Sequence, residues 1–333
     1  MTRTIAAALV LFAIALGGAL LGAQAPQATL AQESPVAKGV AYLVVEVPRW
    51  RAEHPCYSCH NNGDAVRALI AASGRGYEIG TSIDDTLAWL STPERWDSNA
   101  QRGGSDDLPL RRIQFAATLF QMVAWSRATQ EPLDKAAALL IAHQRDDGSF
   151  RPNESQTIGG ATAYGSTLAT ALAHRVLARV STPEAKLAAS RARDWMRETS
   201  IEAVLDASSV LLGLERDGDP PASTRRQEAL TVLKRGQGQD GGWGPYVTSQ
   251  SDVFDTALAL MALVMVRNVP DLYAPAYAER ELETAISRAR EFLTTTQNAD
   301  GSWPETTRPA NGESYAQRIS TTAWALQALM ASE

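Results

Sequence analysis

Apolar positions recur along this chain with a helical period, in two kinds of stretch. Ala257 to Leu263 and Ala323 to Leu329 are apolar nearly all round, the pattern of a helix enclosed by protein on every side. Stretches between them carry charge on one face, as with Arg280, Glu281, Glu283, Arg288 and Arg290, and read as helices with one side in water. The alternation predicts six helix pairs. They are Val36 to Val45 with Ala65 to Ala72, Ile83 to Leu90 with Arg112 to Ala128, and Leu133 to His143 with Ala161 to Val180. Then come Pro183 to Arg197 with Ile201 to Leu214, Ser223 to Lys234 with Val253 to Val266, and Ala278 to Thr296 with Gln317 to Ala331. The charged first members belong outside and the apolar second members inside, so the expected fold class is all-α, six outer and six inner helices closing into an (α/α)6 toroid.

A repeated phrase supports the pairing. Gln144-Arg-Asp-Asp147-Gly148-Ser149-Phe150, Gln237-Gly-Gln-Asp240-Gly241-Gly242-Trp243 and Gln297-Asn-Ala-Asp300-Gly301-Ser302-Trp303 share the pattern Q-x-x-D-G-[SG]-[WF]. Each copy follows an outer helix and precedes an inner one. Internal similarity of this kind marks an architecture in which one helix pair cannot bury its own face and needs neighbours.

These copies resemble the QW repeat of the α/α-toroid family of squalene–hopene cyclases and protein prenyltransferase β-subunits, over roughly residues 36–331. The resemblance implies the toroid, with the Gln and aromatic residue of each copy acting as staples. It also implies a chemistry that this chain departs from. A class II cyclase protonates its substrate with the middle Asp of D-x-D-D, and the nearest match is Asp252-Val253-Phe254-Asp255, where Phe254 stands at the protonating position. Phenylalanine has no proton to give. The prenyltransferase zinc site needs Cys and His, and both cysteines of this chain are used elsewhere. An active cyclase therefore ranks last among the readings the sequence allows.

Those cysteines form Cys56-Tyr57-Ser58-Cys59-His60, the spacing of c-type haem attachment, with thioether links from Cys56 and Cys59 and His60 as proximal iron ligand. A CxxC disulfide or dithiol and a zinc site from His54, Cys56, Cys59 and His60 are the competing readings. The motif occupies, in the first repeat, the loop entering the inner helix. Aligning the repeats puts Tyr164, Asp206, Asp252 and Asp255 at the corresponding cavity mouth, with Arg112 and Arg318 as partners for haem propionates. Met122, His174 and Met261 lie several turns inside their helices, about 15 Å too deep for an iron at the mouth. His143 is the candidate distal ligand.

The first residues add a compartment. Arg3, the apolar run Ile5 to Leu21 and small residues up to Ala31 read as a signal peptide over 1–31, leaving a single toroid domain over 32–333. The expected location is periplasmic or secreted, with membrane contact only through an uncleaved signal. The formal net charge is −6 and no basic block occurs, which excludes nucleic acid as a partner. Together these features predict an exported toroid carrying one covalent haem c near its cavity mouth. Its role would be electron transfer to a redox partner protein, or haem-dependent redox chemistry. The alternative is a non-catalytic toroid holding an isoprenoid, another apolar ligand or a protein partner, its cysteines structural.

Overall fold

The computed structural model describes residues 34–333 apart from 55, 58–59, 100–106, 153–157, 216–217, 268–271 and 273. The signal peptide expected over 1–31 lies outside the described residues, as does Cys59. Twelve α-helices follow one another among the described residues. The outer members are α1 (Pro35–Glu53), α3 (Asp84–Leu90), α5 (Gln130–Ile141), α7 (Pro183–Glu198), α9 (Pro220–Gly236) and α11 (Glu279–Thr295). The inner members are α2 (Asn61–Ser73), α4 (Leu108–Ala124), α6 (Gly165–Ala178), α8 (Val204–Gly213), α10 (Val253–Arg267) and α12 (Tyr315–Ser332).

Local sequence sets the helix ends. Ser34, Thr182 and Asp219 each place a side-chain oxygen on a first-turn amide just before a proline that opens the helix. Asp107 does the same for α4, which starts four residues before the expected Arg112. Helix α6 begins at Gly165 rather than the expected Ala161, because Tyr164 and Gly165 both adopt positive φ, 60° and 66°, and break the helical path.

Each inner helix packs against the next, and α12 returns to lie along α2, so the inner ring is closed. Outer helices bury one stripe. In α11 that stripe is Leu282, Ala285, Ile286, Ala289, Phe292 and Leu293. Inner helices are enclosed on nearly every side; Ile319 to Met330 are all buried in α12. The toroid expected from the apolar pattern is the fold observed.

The Q-x-x-D-G copies hold the layers together, and they do so identically. The amide of Gln144 donates to Ala188 O in α7 at 2.8 Å, that of Gln237 to Ala285 O in α11 at 2.9 Å, and that of Gln297 to Pro35 O in α1 at 2.9 Å. Each Gln thus ties its own turn to the next outer helix, and the last copy closes the circle onto the first helix. The following aromatic residue donates its backbone N–H to an inner-helix threonine: Phe150 to Thr170, Trp243 to Thr256, Trp303 to Thr322, at 2.8–3.0 Å. Burying Trp243 and Trp303 completely contributes up to about 3 kcal/mol apiece.

Candidate functional site

Near the N-terminal ends of the inner helices the largely apolar interior of the ring carries buried charged side chains in two groups. Asp64, one turn into α2, is 1% exposed. Its Oδ1 accepts from the Tyr164 hydroxyl at 2.7 Å and from Arg67, three residues on in the same helix. Its Oδ2 accepts from the indole N–H of Trp324 at 3.1 Å. Ser320 adds a hydroxyl donor. Arg67 also donates to Tyr164 Oη at 3.2 Å, and its guanidinium lies over the Trp324 ring, 4.6 Å from the centroid. Burial pushes the Asp64 carboxyl above its usual range, opposed by Arg67, Tyr164 and Ser320.

The residues come together for reasons visible in each element. Asp64 and Arg67 share a face of α2 by their spacing. Tyr164 precedes α6 at φ 60°, a conformation rare for a side chain of this size. That strain persists because the buried hydroxyl is held by Asp64 and Arg67. Trp324 stands in the middle of α12 and crosses the ring centre. Two further rings meet it edge to face: Tyr164 at 6.0 Å and 84°, and Phe254 at 5.4 Å and 88°. The carboxyl therefore sits against Tyr164 and Trp324, and Trp324 in turn meets Phe254.

A second acidic group occupies the start of α10. Arg308 donates to Asp252 Oδ2 at 3.0 Å and to Asp255 Oδ2 at 2.5 Å, while Asp252 Oδ1 accepts from the Asp255 amide at 2.9 Å. Asp255 is 1% exposed, and burial with the neighbouring Asp252 raises its carboxyl well above the ordinary range, against the pull of Arg308. Oδ1 of Asp255 has no protein partner, nor do both side-chain polar atoms of Asn61 and Oε1 of Gln114, all buried. A Cβ added to Gly160 would stand 3.6 Å from Arg308, which places this group across from the loop leading to Tyr164.

The other residues singled out from the sequence are engaged separately. Asp206 caps α8, accepting from Ala203 N at 2.9 Å and from Thr167 Oγ1 at 2.6 Å. Arg112 pairs with Asp97 at 3.0 Å and donates to His143 Nε2 at 2.7 Å. That bond takes the imidazole lone pair, and burial followed by the Arg112 charge lowers the His143 pKa. Arg318 is bound to Glu305 through two nitrogens, at 2.9 and 3.1 Å. His60, Nδ1 3.3 Å from Ser320 Oγ, is desolvated and pulled down to about 4. Burial raises the Cys56 thiol, and Tyr57 is stacked on Trp89 with its hydroxyl on Asp85. The expected propionate partners and distal ligand are engaged by protein groups: Arg112 and Arg318 are paired with Asp97 and Glu305, and His143 is turned onto Arg112. Among the described residues no group of His, Cys, Asp and Glu is placed to hold a metal ion, and no helix is long and apolar enough to cross a membrane.

Asp64, Arg67 and Trp324 were not singled out from the sequence. Their signal was there: Asp64-x-x-Arg67 puts two charges into a helix that is otherwise enclosed, where charge persists only if paired.

No family model matches the chain. Over 139 residues, 39% of its length, it is 32% identical to a drimenyl diphosphate synthase of Streptomyces showdoensis, and the match spans 26% of that relative. The solved structures it resembles include a type II terpene cyclase of Scytonema in complex with geranylgeranyl dihydroxybenzoate (15% identity, TM-score 0.58, covering 90% of this chain and 96% of that one). Another is the ent-copalyl diphosphate synthase of Streptomyces platensis (19% identity, TM-score 0.56, covering 81% and 50%). A glycosidase shares the fold equally well (12% identity, TM-score 0.60, covering 93% and 99%). The expectation of a haem redox protein is thereby corrected. The sequence relative is a terpenoid synthase, and the fold is that of terpene cyclases and glycosidases. Phe254 stands where the repeat family's acid is expected, and Asp64 brings a carboxyl to the Trp324 ring that Phe254 also meets.

Proposed function

We propose that this chain catalyses an acid-initiated cyclisation of a linear terpenoid substrate, with Asp64 as the proton donor. One observation carries the reading: a buried carboxyl, raised above its usual range, bonded to Tyr164 and Trp324, whose rings pack with Phe254 behind them. Protonating an alkene requires an acid that keeps its proton until substrate arrives, and burial does that. The transfer leaves a carboxylate, and Arg67, Tyr164 and Trp324 are already aimed at it, so they stabilise the product of the transfer more than its starting state. The proton goes from Asp64 to one alkene carbon, leaving a carbocation on its neighbour. Aromatic faces stabilise such a cation, and the dry ring keeps water from quenching it. Loss of a proton ends the sequence, so the overall change is an isomerisation and needs no oxidant. The buried polar atoms of Asn61, Gln114 and Asp255 offer contacts to a polar end of the substrate.

The names of the similar proteins suggest the probes. Purified protein is incubated with linear polyprenyl diphosphates and with geranylgeranyl dihydroxybenzoate, and extracts are searched by mass spectrometry for isomers of unchanged mass and fewer double bonds. Asp64→Asn abolishes their formation, while Asp206→Asn leaves it. Absence of such isomers from every probe, or equal yields from Asp64→Asn and wild type, overturns the proposal.

A further inference from the structure

Around the buried carboxyls stand polar atoms that no protein group answers. Asn61 opens α2 and is fully buried, yet neither its amide nitrogen nor its amide oxygen has a protein partner. Its three-residue spacing from Asp64 puts the two on one face of α2. Gln114 of α4, 1% exposed, donates from its amide nitrogen to Thr162 O at 2.7 Å, and its Oε1 is bare. Buried polar groups are normally paired, so a set of bare ones marks a place for a ligand's polar group. One stretch of chain joins these residues to the two carboxyl groups. Gly160 faces Arg308, the partner of Asp255; Thr162 O holds Gln114; the Tyr164 hydroxyl donates to Asp64. Two residues of chain span at most about 7 Å, so the backbone points that touch the three groups lie within about 14 Å.

The charges in this region are already matched. Arg308 donates to Asp252 and Asp255, Arg318 to Glu305 and Arg112 to Asp97, with Arg111 beside the same Asp97 carboxylate. A diphosphate placed among them would have to take an arginine from a carboxylate and then stand against that carboxylate, and like charges brought together are costly. Its oxygens are also acceptors only. The bare atoms of the two amides are two acceptors, Asn61 Oδ1 and Gln114 Oε1, and one donor, Asn61 Nδ2. A hydroxyl donates one bond and accepts another, so it answers both kinds. A phosphate oxygen answers Asn61 Nδ2 alone and leaves both acceptors bare.

We propose that the centre of the ring takes an unphosphorylated terpenoid whose polar end is a hydroxyl held by Asn61 and Gln114. This rests on the terpenoid reading of the site, but not on proton transfer from Asp64, because saturated probes contain no alkene to protonate. Equilibrium dialysis of the full chain compares hexahydrofarnesol, hexahydrofarnesyl diphosphate and the parent hydrocarbon farnesane. The alcohol binds saturably, and the other two each bind at least about tenfold more weakly. Asn61→Leu removes the bare atoms and breaks no side-chain bond within the protein, so the preference for alcohol over hydrocarbon falls below about threefold. Asp252→Asn keeps an oxygen for the Asp255 amide but removes a charge beside Arg308, so the diphosphate alone gains affinity, about threefold or more. Circular dichroism establishes that each variant is folded, and the three wild-type arms decide without them. Lack of saturable alcohol binding, diphosphate or hydrocarbon binding as tight as the alcohol's, or an unchanged preference in folded Asn61→Leu overturns the proposal. Saturable binding of the alcohol with no isomer formed from farnesol supports it and overturns the role of Asp64 instead.

Discussion

At the scale of single residues, two buried groups make opposite demands on protons. Tyr164 exchanges a strained backbone for one hydrogen bond to a buried carboxylate oxygen. Tyr164→Phe keeps ring and strain but removes the hydroxyl, and leaving a buried hydrogen-bond partner unpaired costs about 1–3 kcal/mol. A loss of stability in that range is expected from urea denaturation, and a loss under about 0.5 kcal/mol would show that the hydroxyl does not hold Asp64. His60 behaves in the other direction. Its imidazole is neutral in the folded chain down to about pH 4, whereas an unfolded histidine takes up a proton near pH 6.5. Between those values the unfolded chain binds more protons, so stability present above pH 6.5 is lost as the pH falls towards 4. The full difference amounts to about 3 kcal/mol. Unfolding free energies measured from pH 7 to pH 4 should fall more steeply for wild type than for His60→Gln; parallel curves would rule out a desolvated imidazole.

At the scale of elements, the three Q-x-x-D-G turns make a quantitative comparison possible. Gly148, Gly241 and Gly301 all have φ close to +90°, and a Cβ at each would meet a backbone oxygen of the next outer helix, at 2.3, 2.5 and 2.3 Å. Two costs therefore coincide at these positions: positive φ and a collision with backbone that cannot swing aside. Gly76 has φ +85° with nothing within 4 Å of its Cβ position, so only the first cost applies. Gly76→Ala should cost about 1–2 kcal/mol. Gly301→Ala should cost clearly more, because the turn must leave Lys38 and the Gln297 bond to Pro35 with it. Equal thermal shifts for the two variants would mean that the turn does not press against α1. These turns were readable from the sequence because the same local phrase occurs three times, and their bonds run over fixed distances in a repeated unit. The site was not readable in the same way. Asp64, Tyr164 and Trp324 come from three different repeats and meet only because the ring closes; nothing local to any of them announces the others. Cys56 and His60 pointed to a redox role for the converse reason. Their spacing is local and recognisable, while the environment that decides their chemistry, with Ser320 beside the imidazole and Trp89 against Tyr57, comes from elsewhere.

For the whole molecule, closure separates this ring from an open stack of the same helix pairs. In an open array each repeat contacts only its neighbours, so end repeats fray and cooperativity breaks down as the array lengthens. Here α12 packs along α2, and Gln297 fastens the last turn to α1, so the ring has no end repeat. The central contacts also span the circle: Asp64 of the first inner helix is bonded to Tyr164 before the third and to Trp324 of the sixth. Opening any one pair removes contacts on both sides and empties the centre. The expectation is a single unfolding transition. Trp96, Trp243, Trp303 and Trp324 are buried in the second, fifth and sixth repeats and report on the circle together by fluorescence, while circular dichroism reports on the helices, so the two midpoints should coincide. Gln297→Ala cuts the seam without touching the centre. It removes two half-buried bonds, to Pro35 and Gly301, and about 1–3 kcal/mol is lost with them. A closed ring answers that cut by moving both midpoints down together. A chain that were effectively open would instead show the fluorescence and dichroism curves separating, first at the repeats flanking the seam, and the Asp64 contacts at the centre would be lost before the helices melted.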